Sequence, residues 1–242
     1  MQVKVFLRKS LLSLIGLLLL TISCVSTRKS GNGSQPEWED LFVGASTDKL
    51  RGYKMTDFPS DSWVVENNTL RALTKVNNID FITKDTFKNF ELVFEWKTSK
   101  AGNSGVFFNV QEDQTLISGN GNSPHWLKNY EMQLLDDLNF YDKNPKRSTG
   151  ALYDLIAPKE KVLKPVGEFN TARLIVNNQH VEHWVNGLKV LEYQMDSPEV
   201  KELVSKSKFK SVKDFAKFQE GHIMFQHHGQ EFGYKDIKIR RL

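Results

Sequence analysis

The chain has 242 residues, 39% of them hydrophobic and 11% aromatic, which excludes a disordered or low-complexity protein. Its formal charge is +4, from 33 basic and 29 acidic residues, but Lys4, Arg8 and Lys9 fall within residues 1–23, which hold no acid. The remainder is therefore nearly neutral and lacks the basic stripe that would point to nucleic acid as a partner.

The three basic residues precede the apolar run Leu11 to Ile22, "LLSLIGLLLLTI". A basic head followed by about a dozen apolar residues is a secretory signal, too short for a comfortable membrane span. The run stops at Ser23-Cys24, and Cys24 is the only cysteine, so no intramolecular disulfide can form. This end resembles the signal of a bacterial lipoprotein, in which the cysteine carries the lipid. The alternative is an ordinary signal peptide that happens to contain a cysteine. The expected organisation is a signal peptide over 1–23, a polar Gly/Ser-rich tether over 24–36 and one folded domain over 37–242. The expected location is the cell envelope, lipid-anchored, in the periplasm or on the outer-membrane surface.

Within the domain, strand-like runs alternate with turn residues. "SWVVENNTLRAL" reads as a hairpin around Glu-Asn-Asn. In "FELVFEWKTS", Leu92, Phe94 and Trp96 face one way, and Glu91, Val93, Glu95 and Lys97 the other. "GVFFNV", "YEMQLLDD" and "GALYDLIAP" follow. "TARLIVNNQHVEHWVNGLKVLEY" reads as three strands joined by Asn-Asn and Asn-Gly turns. "GHIMFQHHG" and "YKDIKIRRL" close the chain. Only the segment 197–220 changes period: Val200, Leu203 and Val204, then Val212, Phe215 and Phe218, have helical spacing after Ser197-Pro198. About ten short strands without βαβ alternation predict an all-β, two-sheet antiparallel sandwich with a short helical insert near 197–220.

Four polar clusters fall on these strands or their turns. They are Asn103-Ser104 in "AGNSGVFF", Glu131 and Gln133 in "YEMQLLDD", His183 and Trp184 in "HVEHWVNG", and Gln226 and His228 in "HIMFQHHG". The two-residue period places Tyr130, Met132 and Leu134 toward the core and Glu131 and Gln133 on the other face. Each cluster also has a plain structural reading: a turn at Asn103-Ser104, a Glu131–Lys97 cross-strand pair, a core histidine at 183. Adjacent His227 and His228 point to opposite faces, so no metal site is expected there. If their strands shared a sheet, Glu95, Lys97, Glu131, Gln133, Gln226 and His228 would form one face. With Trp126 or Trp184 stacking beside it, that face would suit a polyhydroxylated saccharide. Phosphate-binding glycine motifs, a Gly-x-Ser-x-Gly elbow and a Cys/His nucleophile pair are absent.

"GNSGVFF", "YEMQLLDD", "TGALYDLIAP", "EFNTARLIVNNQHVEHWVNG" and "QHHG", in this order, resemble the 3-keto-disaccharide (3-keto-glycoside) hydrolase family over residues 37–242. The resemblance implies a concanavalin A-like jelly roll with one concave sheet. The chain departs from the family pattern at "LFVG", Leu41 to Gly44, where the family has LFNG. It departs again at "YKDI", Tyr234 to Ile237, where the family has FRNI and Lys235 replaces an arginine.

The resemblance implies a substrate oxidised at C3 of a sugar by an upstream 3-oxidoreductase. A C3 ketone acidifies the C2 hydrogen, so a base can remove it and the C1 group can leave by β-elimination before water adds. Glu131, His228 and His183 are the candidate catalytic residues. Lys97, Asn103, Ser104, Gln133, Trp184, Gln226 and Glu95 are the candidate substrate contacts. No cofactor is expected beyond a possible structural calcium on the oxygens of Asp136 to Asp142. Two other readings stay open: a two-carboxylate glycosidase using Glu95 and Glu131, and a non-catalytic carbohydrate-binding module.

Overall fold

The computed structural model describes residues 37–112 and 128–242. The expectations for the signal peptide, the tether, Cys24 and Trp126 lie outside the described residues.

Thirteen strands occur among the described residues, in chain order β1 Glu39–Phe42, β2 Leu50–Gly52, β3 Trp63–Glu66, β4 Thr69–Ala72, β5 Phe81–Thr83, β6 Phe90–Thr98 and β7 Asn103–Val110, then β8 Glu131–Leu135, β9 Asn170–Asn177, β10 His180–Val185, β11 Leu188–Gln194, β12 His222–Phe225 and β13 Phe232–Arg241. They form two antiparallel sheets. The larger runs β11-β10-β9-β6-β13-β4-β3, with β1 also paired to β13; the smaller runs β2-β5-β12-β7-β8. This is the expected jelly-roll sandwich.

The apolar alternation of each strand makes the core. Leu92, Phe94 and Trp96 of β6 face Met132 and Leu134 of β8 and Phe225 of β12 across the sandwich, all within one buried cluster. Met132 and Leu134 are fully buried, so truncating either to Ala costs about 2–5 kcal/mol. Aromatic rings fill the centre: Phe81 stacks on Phe225 at 4.8 Å, and Tyr234 meets Phe225 edge-on at 5.1 Å. A buried relay ties the sheets together. Ser104 Oγ donates to the Gln226 carbonyl at 2.6 Å, so Tyr234 Oη, also 2.6 Å away, is the donor to Ser104.

The segment 197–220 is less helical than its periodicity predicts. Helix α1 covers only Pro198–Ser205, capped by Ser197 Oγ accepting from the Val200 N–H, and a 3-10 turn follows at Lys208–Ser211. Positive φ at Asp214 (59°) and Ala216 (50°) stops any continuation. The helix-spaced aromatics are used for local packing instead: Phe209 stacks on Phe215 at 4.3 Å, and Phe215 docks edge-on against Tyr130 at 5.4 Å. That docking carries Lys208 to the flank of the smaller sheet.

Candidate functional site

The strand period puts Glu131 and Gln133 on the face of β8 opposite Met132 and Leu134. In register, Glu131 lies beside Phe107 and Gln133 beside Gly105 on β7; Met224 of β12 pairs with Phe107 and with Ile82 of β5. Phe107, Met224 and Ile82 are fully buried, so Glu131 sits at the margin of an apolar floor. Gly105 makes room for it, since a Cβ there would collide with the Glu131 carboxylate. Gln133 is anchored, its Nε2 donating to Asn103 Oδ1 at 2.6 Å and to the Ser104 carbonyl at 3.0 Å.

Residues 149–156 run along β8 as an added edge. The Tyr153 N–H donates to the Glu131 carbonyl at 3.0 Å and the Gln133 N–H to the Ala151 carbonyl at 3.1 Å. This places Tyr153 next to Glu131. From the helical insert, Lys208 lies 4.1 Å over the Tyr153 ring, and its Nζ donates to Tyr153 Oη at 2.9 Å. Behind them, Arg147 binds Asp154 at 2.6 Å and Asp142 at 2.7 Å, fixing the loop.

The electrostatics of Glu131 follow from this setting. It is 5% exposed, and burial pushes its carboxyl up to about 8. The Lys208 ammonium pulls the other way and Asp80 adds to the rise; no hydrogen bond to the carboxylate contributes. Burial, aided by the Glu131 charge, raises the Tyr153 phenol to about 12. Because Tyr153 Oη accepts from Lys208, its own proton is free to be donated to a bound oxygen. The arrangement therefore offers a carboxyl that can take a proton near neutrality, with a phenol and an ammonium positioned to receive negative charge.

Only part of the expected polar face assembles. Glu131, Gln133 and Asn103 are together, and Gln226 is joined to them through its N–H on the Gly105 carbonyl at 3.0 Å. Glu95 and Lys97 do not share this sheet, because β6 belongs to the larger one. Glu95 pairs with Lys235 at 3.1 Å, and Lys97 lies 5.0 Å over Phe169. Lys235, the residue that replaces the family arginine, is thus also on the far sheet. Trp184 is there too, with Nε1 bonded to Glu182 at 2.7 Å and Arg173 over its ring at 5.2 Å. Ser104 points inward to the relay with Tyr234.

His183 is a core residue. It is fully buried, its Nδ1 lies 3.0 Å from the Gly150 carbonyl, and burial lowers it to about 4. It holds the 149–156 edge in place and does not face the Glu131 cluster. His228 lies in the exposed turn after β12, with Nδ1 2.9 Å from Gln230 Oε1. The carboxylates between Asp136 and Asp142 are turned onto protein donors. Asp136 accepts from the Ala101 N–H at 2.9 Å, Asp137 from the Thr149 N–H at 2.8 Å, and Asp142 from Arg147 at 2.7 Å.

Gly105, Tyr153 and Lys208 were not singled out by the sequence reading. Gly105 had a signal, since glycine inside a strand marks close approach of another group. Lys208 had none, because five lysines between 201 and 213 read as one solvated surface.

Three comparisons bear on identity. The model of the 3-keto-alpha-glucoside-1,2-lyase-like domain matches residues 37–240. A 3-keto-disaccharide hydrolase of Bacteroides thetaiotaomicron is 32% identical over 226 residues, covering 84% of this chain and 77% of that protein. A candidate glycosyl hydrolase from Parabacteroides distasonis superposes with a TM-score of 0.75 at 27% identity, covering 85% of this chain and 94% of that one. A second from the same organism gives a TM-score of 0.63 at 25% identity, covering 85% and 100%. With its two-sheet fold and a family match spanning nearly all of the described domain, the chain belongs to the 3-keto-alpha-glucoside-1,2-lyase-like domain family.

Proposed function

We propose that this protein cleaves the glycosidic bond of 3-keto-disaccharides or 3-keto-glycosides by elimination and hydration, with Glu131 as the base. The observation that carries the reading is the Glu131 carboxyl, buried against Gly105 and raised to about 8. A base with that affinity for a proton is matched to abstraction of an acidified C–H near neutral pH.

Glu131 takes the C2 proton, and the C2–H electron pair forms an enolate with the C3 ketone. Tyr153 and Lys208 stabilise the enolate oxygen. The enolate expels the C1 oxygen as a C1–C2 double bond forms, and the departing oxygen takes a proton from a water molecule. The hydroxide so formed adds at C1, and Glu131 returns its proton to C2. The net change is hydrolysis. Gln133, Asn103 and Gln226 supply donors and acceptors for the sugar hydroxyls. The family relative named as a 3-keto-disaccharide hydrolase supports the substrate class. An upstream enzyme must then oxidise C3. The sequence of residues 1–24 supports delivery to the cell envelope on a lipid at Cys24.

The two-carboxylate glycosidase finds little support, because Glu95 and Glu131 stand on different sheets. The test is to assay the purified protein on a 3-keto-disaccharide, its unoxidised parent and the 3-keto substrate deuterated at C2. The reading requires cleavage of the keto sugar alone, with a primary isotope effect on kcat/KM. Cleavage of the parent sugar without an isotope effect would establish the glycosidase, and binding without turnover the carbohydrate-binding module.

A further inference from the structure

Tyr153 is held between a regular contact and a strained one. On its N-terminal side Leu152 pairs with Met132 of β8, and the Tyr153 N–H itself is fixed on the Glu131 carbonyl at 3.0 Å. On its C-terminal side the chain turns sharply at Asp154, where φ is 62°. That is the left-handed region, in which a Cβ crowds the backbone and glycine is the usual occupant. Another residue stays there only when its surroundings hold it.

Arg147 grips that turn. Its Nε donates to Asp154 Oδ1 at 2.6 Å and its Nη1 to Asp142 Oδ2 at 2.7 Å. A planar guanidinium on two carboxylates fixes direction as well as distance, which an ammonium does not. Arg147 is anchored in turn. It ends a 3-10 turn, Pro145–Arg147, where Asn144 Oδ1 accepts from the Lys146 N–H at 3.1 Å and the Asn144 carbonyl from the Arg147 N–H at 2.8 Å. The same turn takes the backbone of Asp154, whose N–H donates to the Lys146 carbonyl at 2.8 Å. The Arg147 guanidinium carbon lies 5.9 Å from the centre of the Tyr153 ring, and Lys208 Nζ lies 4.1 Å from it. The direction of the phenol is thus set from the 145–147 turn, outside the reacting groups.

We propose that Arg147 is a positioning residue for the elimination: by holding Asp154 in the left-handed conformation, it directs the Tyr153 phenol toward the C3 oxygen of the substrate. The chemical half of this proposal rests on the elimination reading. The structural half, that Arg147 sets Tyr153 through the backbone of Asp154, is read without turnover.

The experiment is a rescue. Arg147→Met leaves Asp154 in its strained conformation without the grip. Combining it with Asp154→Gly makes that conformation accessible without the arginine. On a 3-keto-disaccharide, Arg147→Met should lower kcat by ~10-fold, because small misplacements of a catalytic group are costly, while KM changes by less than ~2-fold. Adding Asp154→Gly should regain at least ~3-fold of kcat. Arg147→Lys, which keeps the charge and loses the two-pronged contact, should fall between the parent and Arg147→Met. In protein labelled with carbon-13 tyrosine, the Tyr153 ring signal, assigned with Tyr153→Phe, should shift in Arg147→Met and return toward the parent position in the double variant. Loss of the nearby charge alone would also shift the signal, but glycine at 154 would not return it. Circular dichroism checks the folding of each variant, and Arg147→Lys with and without Asp154→Gly makes the same comparison if Arg147→Met does not fold. A parent-like kcat and Tyr153 signal in Arg147→Met, or a loss that glycine does not rescue, would overturn the proposal. A parent protein with no isotope effect at C2 would defeat the elimination reading and the chemical half with it, a failure distinct from a missing rescue.

Discussion

Two glutamates in this sandwich are almost equally buried and are treated in opposite ways. Glu91 on β6 is 4% exposed, and Glu131 on β8 is 5% exposed. Glu91 is gripped by two arginines, Arg173 and Arg240, with Arg240 Nε 2.7 Å and Nη2 2.5 Å from Oε2. Among the described residues no arginine pairs with Glu131; it has a glycine that makes room for it and an exposed lysine nearby. A carboxylate gripped by two guanidinium groups has its oxygens committed to hydrogen bonds and serves the fold. A buried carboxylate without a hydrogen-bonded cation has its proton affinity raised and is ready to exchange a proton. The same side chain is thus structural on one sheet and chemical on the other, and the difference lies in the neighbours, not in the depth of burial.

Substitution to glutamine should separate the two. Glu131→Gln should fold and lose at least ~10²-fold in kcat on a 3-keto-glycoside, while Glu91→Gln folds less well and keeps its turnover per folded molecule. Full activity in Glu131→Gln would return that residue to a structural role and direct the search for the base to His228.

The stability effects should run the other way. Glu91→Gln leaves two arginines facing an amide and should cost ~3 kcal/mol by denaturant titration. That is the low end for a broken buried pair, because Arg173 keeps 38% of its side chain exposed. Glu131→Gln should be neutral or stabilising, with a definite pH dependence. The folded carboxyl, raised to about 8, holds its proton more tightly than the unfolded one near 4.5. Its contribution is therefore fully present below about pH 4.5 and is lost as the pH climbs through 8. The Tm gain of Glu131→Gln over the parent should accordingly be larger at pH 8.5 than at pH 5.

The smallest effect concerns Lys208. Its charge lowers the proton affinity of Glu131, so Lys208→Met should move the ascending limb of the kcat/KM profile to higher pH. If Lys208 also receives enolate charge, kcat should fall by up to ~10²-fold. An unshifted limb would mean that Lys208 packs on Tyr153 without influencing Glu131.

Much of this contrast was legible in the sequence, because a strand's two-residue period is local. It correctly put Met132 and Leu134 inside with Glu131 opposite, and it separated β9, β10 and β11 at their Asn-rich turns. Sheet membership was not legible. β6 and β7 are joined by a tight turn, with the Gly102 N–H on the Ser99 carbonyl at 2.9 Å, yet they enter different sheets. Periodicity says which residues share a strand face, not which sheet that strand joins. Glu95 and Lys97 were therefore grouped with Glu131, although they look out from the far side. Tyr153 and Lys208 escaped for a related reason. An irregular edge and a short 3-10 turn bring them to β8, and neither has a repeat that sequence spacing can reveal.

The central claim is that Glu131 exchanges its proton near neutral pH. It is tested most directly by carbon-13 titration of the Glu carboxyl signals, with Glu131→Gln identifying the resonance. The account predicts one carboxyl titrating near 8, coincident with the ascending limb of kcat/KM. A Glu131 signal that titrates near 4.5 would contradict it.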